Sequence, residues 1–179
     1  MAFAFLVVVI PTTAASAQTS ELAALRVLYY RASNEMQAAN EFYGKLKSID
    51  ETRPLWLGYK GMASFMLARH VRNPLSKLKH FLEGQDILEK SIKLAPANLE
   101  LRYLRFSVQT SAPEFLNYRR NILQDKKILL EALFKPKIHK LDEDLRQRIV
   151  RYMLETKYCT GREKEDLARV RLTFREDTR

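Results

Sequence analysis

The sequence predicts an all-α protein of short antiparallel helix pairs, arranged as an α-solenoid or as an irregular helical bundle. Three observations carry this. Glycine and proline are scarce, at five and six in 179 residues, while Leu, Lys, Arg, Glu and Ala are plentiful, a balance that favours helix over a turn-rich sheet. Apolar residues recur at spacings of three and four, which is what a helix with one buried face requires. The prolines fall between those stripes, where helices begin or stop.

Taken in order, Ser20 reads as an N-cap, and Glu21 in the first turn complements the helix dipole. Leu22, Leu25, Val27, Leu28 and Tyr29 continue a first helix to about Ala32. Ser33 and Asn34 break it. A second helix runs from Glu35 to about Ile49, with Met36, Ala39, Phe42, Tyr43 and Leu46 on its inner face. After a connection over 50–53, Pro54 suits the first turn of a third helix, where its missing N–H costs nothing. Leu55, Tyr59, Met62 and Met66 form its stripe, widened by Trp56, Ala63 and Leu67. Arg72-Asn73-Pro74 reads as a turn, because a residue before proline avoids the α region.

A fourth helix then runs from Pro74 to Leu94, with Leu78, Phe81, Leu82, Leu88 and Ile92 inward, until Pro96 stops it. The fifth covers Asn98 to about Gln109, with Leu101, Leu104 and Val108 inside. Ser111 reads as the cap of a short helix opened by Pro113 and Glu114, and Asn121 as the cap of another reaching Phe134, although 113–134 also reads as one kinked helix. Pro136 ends it. Asp142 opens a last clear helix with Leu145, Ile149, Tyr152 and Met153 aligned, and Gly161 reads as its stop. The charged residues 162–179 either fray or form a terminal amphipathic helix.

Residues 1–17 contain no charged side chain. An apolar run, Phe3 to Ile10, precedes the small residues Ala15-Ser16-Ala17. That is the pattern of a cleaved secretory signal peptide, with the mature chain starting near Gln18 in the periplasm or outside the cell. An uncleaved anchor fits less well, because Pro11 cuts the run short of the ~20 apolar residues a span needs. A misassigned start is the third reading. No cysteine follows the run to take a lipid. The rest divides into a helical domain over 18–160 and a charged segment over 161–179, and about 160 residues suit one domain that buries a core without disulfides. The single Cys159 makes no internal bridge. The formal charge of +10 attracts anionic surfaces, and it is spread along the chain rather than gathered in a tail.

Two stretches resemble the tetratricopeptide repeat. Leu22, Leu25, Tyr29, Ala38 and Phe42 fall at relative offsets 0, 3, 7, 16 and 20. In that family, large residues on helix A pack around a small residue and an aromatic on helix B. Arg26, Lys45 and Asp50 depart from the pattern. In a second copy, Gly84, Leu88, Ser91 and Pro96 match helix B, and Trp56 matches the start of helix A if about twelve residues near 71–82 are an insertion. The resemblance covers about 75 residues and implies a groove lined by the A helices, with Ala23, Val27, Tyr30 and Arg31 from the first copy and Leu57, Gly61, Ser64 and Phe65 from the second. Tyr30 and Arg31 would offer stacking and a carboxylate clamp. The stretch from Leu88 to Arg105, followed by 113–118, is also similar to a group of exported bacterial proteins with no assigned activity.

No motif for catalysis stands out. His70, His80 and His139 lack zinc spacing, and no nucleophile elbow, P-loop or dinucleotide-binding pattern occurs. Asp142, Glu143 and Asp144 sit at a helix start, where negative charge is expected on dipole grounds. Glu83, Asp86 and Glu89 share one side of a helix, as solvated faces commonly do. Basic residues interleave with tyrosines at Arg102, Tyr103 and Arg105, at Tyr118, Arg119 and Arg120, and at Arg146, Arg148 and Arg151. If stacked, they would line a face for a peptide or an anion. Nucleic-acid binders use this arrangement, but an exported protein meets little nucleic acid.

The sequence therefore leads to an exported, non-enzymatic interaction scaffold without a cofactor or metal, binding a protein or peptide through Tyr30, Arg31, Ser64, Phe65, Arg102 and Arg105. One alternative is a binder of anionic surfaces such as lipid headgroups, polysaccharide or nucleic acid. Another is a hydrolase whose carboxylates carry no recognisable motif.

Overall fold

The computed structural model describes residues 13–135 and 142–176, with side chains for 20–135 and 142–173. The described residues form eight α-helices and one 3-10 turn: α1 (Thr13–Ala32), α2 (Met36–Leu46), α3 (Pro54–His70), α4 (Pro74–Leu94), α5 (Leu99–Ser111), the turn Glu114–Leu116, α6 (Ile122–Phe134), α7 (Glu143–Glu155) and α8 (Gly161–Glu176). The all-α class is as expected. Residues 1–12 of the proposed 1–17 leader, the expected stop at Pro136, and His139 lie outside the described residues, while residues 13–17 of that leader begin α1.

Each helix packs against the next one in the chain. The odd-numbered helices also touch in succession, α1 on α3, α3 on α5 and α5 on α7. Helix α3 sits at the centre of this row. Trp56, Leu57, Gly58 and Tyr59, and then every residue from Gly61 to Ala68, are buried, because a helix that is apolar all round must be covered all round. The closest approach is between α3 and α4. A Cβ at Gly61 would lie 2.9 Å from the Gly84 carbonyl oxygen, and one at Gly84 would lie 2.8 Å from the Gly61 oxygen, so the two backbones meet where neither residue has a side chain.

Two aromatic clusters flank this contact. Tyr29, Phe42 and Tyr59 pack with centroids 5.8–6.3 Å apart. Phe65, Phe81 and Tyr118 do so at 5.1–6.4 Å. Edge and offset geometries of this kind add to the area each ring buries.

Local chemistry sets most boundaries. Asn73 Oδ1 accepts from the Ser76 amide, Asn98 Oδ1 from Leu101 and Asp142 Oδ1 from Leu145, so each caps the helix that follows it. Several expectations are corrected. Helix α1 is already formed at Thr13, because nothing between there and Ser20 breaks a helix, so Ser20 is not its cap. Helix α2 stops at Leu46 rather than near Ile49. Ser111 closes α5, its hydroxyl donating to the Ser107 carbonyl. Asn117 takes a left-handed conformation (φ 49°), which separates the 3-10 turn from α6 and excludes one kinked helix.

Gly161 opens α8 rather than ending α7. The Thr160 hydroxyl accepts from the Glu163 amide while the Glu163 carboxylate accepts from the Thr160 amide. This reciprocal capping box marks a start. Of the two readings for the charged C-terminal segment, the helix forms, and Leu167 is fully buried. Leu78, Leu82 and Met36, expected inside, are 42–46% exposed. Helix α4 carries two apolar stripes, and the one containing Phe81, Leu88 and Ile92 faces the core.

Candidate functional site

Two ion-pair networks use the charges that the sequence places within apolar stripes. On α5, Glu100 lies beside Leu101 and Leu104 and is buried. Arg26 from α1 donates to both its oxygens, Nε at 2.7 Å and Nη2 at 2.8 Å. The Tyr59 hydroxyl donates to the same carboxylate at 2.6 Å. Arg26, which departs from the small residue expected there by resemblance, is thus the partner of a buried acid. Burial pushes the Tyr59 hydroxyl well above its ordinary range, and the adjacent carboxylate pushes it further.

The second network centres on Asp125 of α6, which is fully buried. Arg105 grips both its oxygens at 2.7 and 2.8 Å and reaches Glu89 of α4 at 2.9 Å. Arg102 adds a third contact to Asp125 at 3.1 Å and also donates to the Pro96 carbonyl. The Tyr118 hydroxyl donates to Glu89 at 2.8 Å. These groups lock α4, α5 and α6 together through paired, hydrogen-bonded charges, the only form in which burial of charge is tolerated.

Four of the six predicted binding residues are therefore committed to the fold. Arg102 and Arg105 face Asp125 rather than an outer surface. Ser64 and Phe65 are buried at 0% and 6% exposure, because α3 is covered on all sides, so they line no open groove. Among the described residues the Ser64 hydroxyl has no hydrogen-bond partner.

Tyr30 and Arg31 do reach the surface, on the face where α1 meets α7. The Arg148 guanidinium of α7 lies 4.0 Å over the Tyr30 ring, and Asp144 holds its Nε at 2.8 Å. Burial raises the Tyr30 hydroxyl pKa, with Arg148 opposing. Arg31 is about half exposed and, among the described residues, pairs with Glu35 alone, at 3.2 Å across one helical turn. Val27, one turn earlier, is 56% exposed. Next to this face, Thr110, Tyr152, Glu155, Thr156 and Lys157 line an open depression.

Sequence reasoning grouped Arg148 with other arginines and did not pair it with Tyr30, since the pairing depends on how α7 folds back. The signal for Glu100 was present: an acid inside an apolar stripe needs a buried cation. Cys159 is buried and its thiol is pushed up by that burial, which keeps it in the unreactive form. Among the described residues, no group of three or more His, Cys, Asp or Glu is placed to hold a metal, and no helix is long and apolar enough to cross a membrane.

Fold and site together define an all-α protein of successive antiparallel helix pairs with a tyrosine–arginine face on its first and seventh helices. No protein-family model, curated protein or solved structure matches the chain.

Proposed function

We propose that this protein is an exported, non-enzymatic helical-repeat scaffold of the tetratricopeptide type, and that it binds a protein partner on the face formed by Val27, Tyr30, Arg31 and Arg148. The observation that carries this reading is the preset stack of Arg148 on Tyr30 beside an exposed, weakly held Arg31. Tyrosine and arginine in fixed rotamers lose little freedom on binding, which is why they dominate interface energetics. The Arg31–Glu35 pair is exposed, so exchanging Glu35 for a partner's carboxylate costs little. The partner surface that fits has an apolar side chain for Val27 and a carboxylate for Arg31. The row of odd-numbered helices supports the repeat reading. The bidentate use of Glu100 and Asp125 in ion pairs supports a structural rather than catalytic role for the buried acids.

The test is photo-crosslinking in the native cell from a reactive residue at position 27, with position 123 on α6 as the control. A single protein captured at 27, absent at 123 and lost with Arg31→Glu, supports the proposal. Equal capture at both positions, or none, overturns it. Peptide mapping of the envelope fraction tests export separately: an N-terminus near Gln18 is expected, and intact Met1 in the cytoplasm refutes it.

A further inference from the structure

The second apolar stripe of α4 lies on its outer side. Leu75, Leu78 and Leu82 are 79%, 42% and 46% exposed. Their i, i+3, i+7 spacing aligns them along about 10 Å of helix. Arg72 and Lys79 border them and Lys77 lies further round the helix, all exposed; residues 72–82 include no Asp or Glu, and Glu83 and Asp86 follow beyond Leu82. Among the described residues none of these three cations makes an ion pair, whereas His80 just behind them turns to Glu83 at 3.4 Å. Leucines and unpaired cations therefore share one short surface on a chain with a formal charge of +10.

We infer that the N-terminal half of α4 docks on an anionic phospholipid bilayer, with Leu75, Leu78 and Leu82 at the headgroup–acyl boundary and Arg72, Lys77 and Lys79 on the phosphates. Charge complementarity selects this occupant. A helix lying in an interface needs both an apolar strip and flanking cations, because neither attraction alone holds it there. A nucleic acid would engage the cations and leave the leucines in water. A second copy of the chain, meeting this face through a two-fold axis, would set three cations against three cations. This inference is independent of the Tyr30 face, which lies on α1 and α7.

The experiment uses the full chain with Cys159→Ser and Leu82→Cys, the new thiol carrying an environment-sensitive fluorophore. Vesicles of phosphatidylcholine, with or without phosphatidylglycerol, are titrated in. The expected result is a blue shift with the anionic vesicles alone, while the same label at position 123 stays in water. Lys77→Glu with Lys79→Glu abolishes the shift. Leu75→Ser with Leu78→Ser weakens it about tenfold and leaves its salt dependence in place. Unchanged thermal melts show that the variants fold. A label at 82 that stays aqueous overturns the inference, including the case in which residues 3–10 alone reach the bilayer. An equal response to neutral vesicles overturns it too. A shift driven by protein concentration without lipid assigns the face to a second copy instead.

Discussion

The contact between Gly61 and Gly84 makes a quantitative claim about two chemically identical substitutions. In Gly61→Ala, the new Cβ meets the Gly84 oxygen at 2.9 Å, the Leu88 amide nitrogen at 3.0 Å and the Leu88 Cβ at 3.2 Å. Ordinary contact begins near 3.4 Å, so α3 and α4 must part by about half an ångström. The first two atoms are helix backbone and cannot turn aside. Overpacking of this kind costs about 1–3 kcal/mol, and rigid neighbours place it at the upper end. Alanine returns about 1 kcal/mol of helix propensity. The net expectation is a loss of about 1–2 kcal/mol. Gly44→Ala on α2 is the matched control, because nothing lies within 4 Å of its added Cβ, and it gains up to about 1 kcal/mol. At roughly 2–4 °C per kcal/mol for a chain of this size, the two Tm values separate by roughly 2–12 °C. Circular dichroism melts, with urea titrations for free energies, measure this. Equal shifts, or a Gly61→Ala variant more stable than wild type, would refute the close approach. Gly84→Ala also destabilises. The double variant loses less than the sum of the two, since helices parted once admit both methyls.

Three other expectations follow from the buried charges and hydroxyls. Asp125→Ala leaves the buried Arg105 with Glu89 as its remaining carboxylate and costs up to about 3–5 kcal/mol by urea denaturation, whereas Glu35→Ala, which removes an exposed pair, changes stability by less than about 1 kcal/mol; comparable losses would contradict the assigned burial. Burial raises the hydroxyl pKa of Tyr29, Tyr59, Tyr103 and Tyr118 in the folded state. Their contribution is complete below pH 10 and is lost as pH rises above it, so 295 nm absorbance from these rings should appear only as the 222 nm helix signal falls. For Glu163, burial raises the carboxyl pKa, but the Lys126 and Thr160 hydrogen bonds outweigh it and the net shift is down. The stability it gives is present above the unfolded-state value of about 4.3 and is lost as pH falls through the folded one. Glu163→Gln should flatten this part of the acid profile of α8 followed by hydrogen exchange.

Much of the helix pattern was legible because its signals are local. Pro54 and the unbroken apolar run behind it mark both the start and the burial of α3. Asn98 and Asp142 announce the helices they cap. The start of α1 was not legible, since Thr, Ala, Ser and Gln before Ser20 neither open nor close a helix strongly. Gly161 was read backwards as a stop because glycine commonly ends helices; the Thr160–Glu163 pair around it was the stronger signal. Leu78 and Leu82 fit a helical period as well as Phe81 does, and only the approach of α3 decides which stripe is inside. The site was least legible. Arg102 and Arg105 look like surface cations until the chain brings Asp125 to them from α6, a pairing set by topology.

The contacts of α7 with α1 change what kind of object the row of helices is. In an open stack each pair touches only its neighbours, and the two ends loosen independently. Here Arg148 lies over Tyr30 and Asp142 reaches Arg26 at 3.5 Å, joining residues more than a hundred positions apart. The first and seventh helices thus share one latch. Loosening either one frees the other, so their amides should exchange with solvent together and late, while α8, outside the latch, exchanges early. The chain must also bring distant segments together before this latch closes, which makes its formation a slow step in folding.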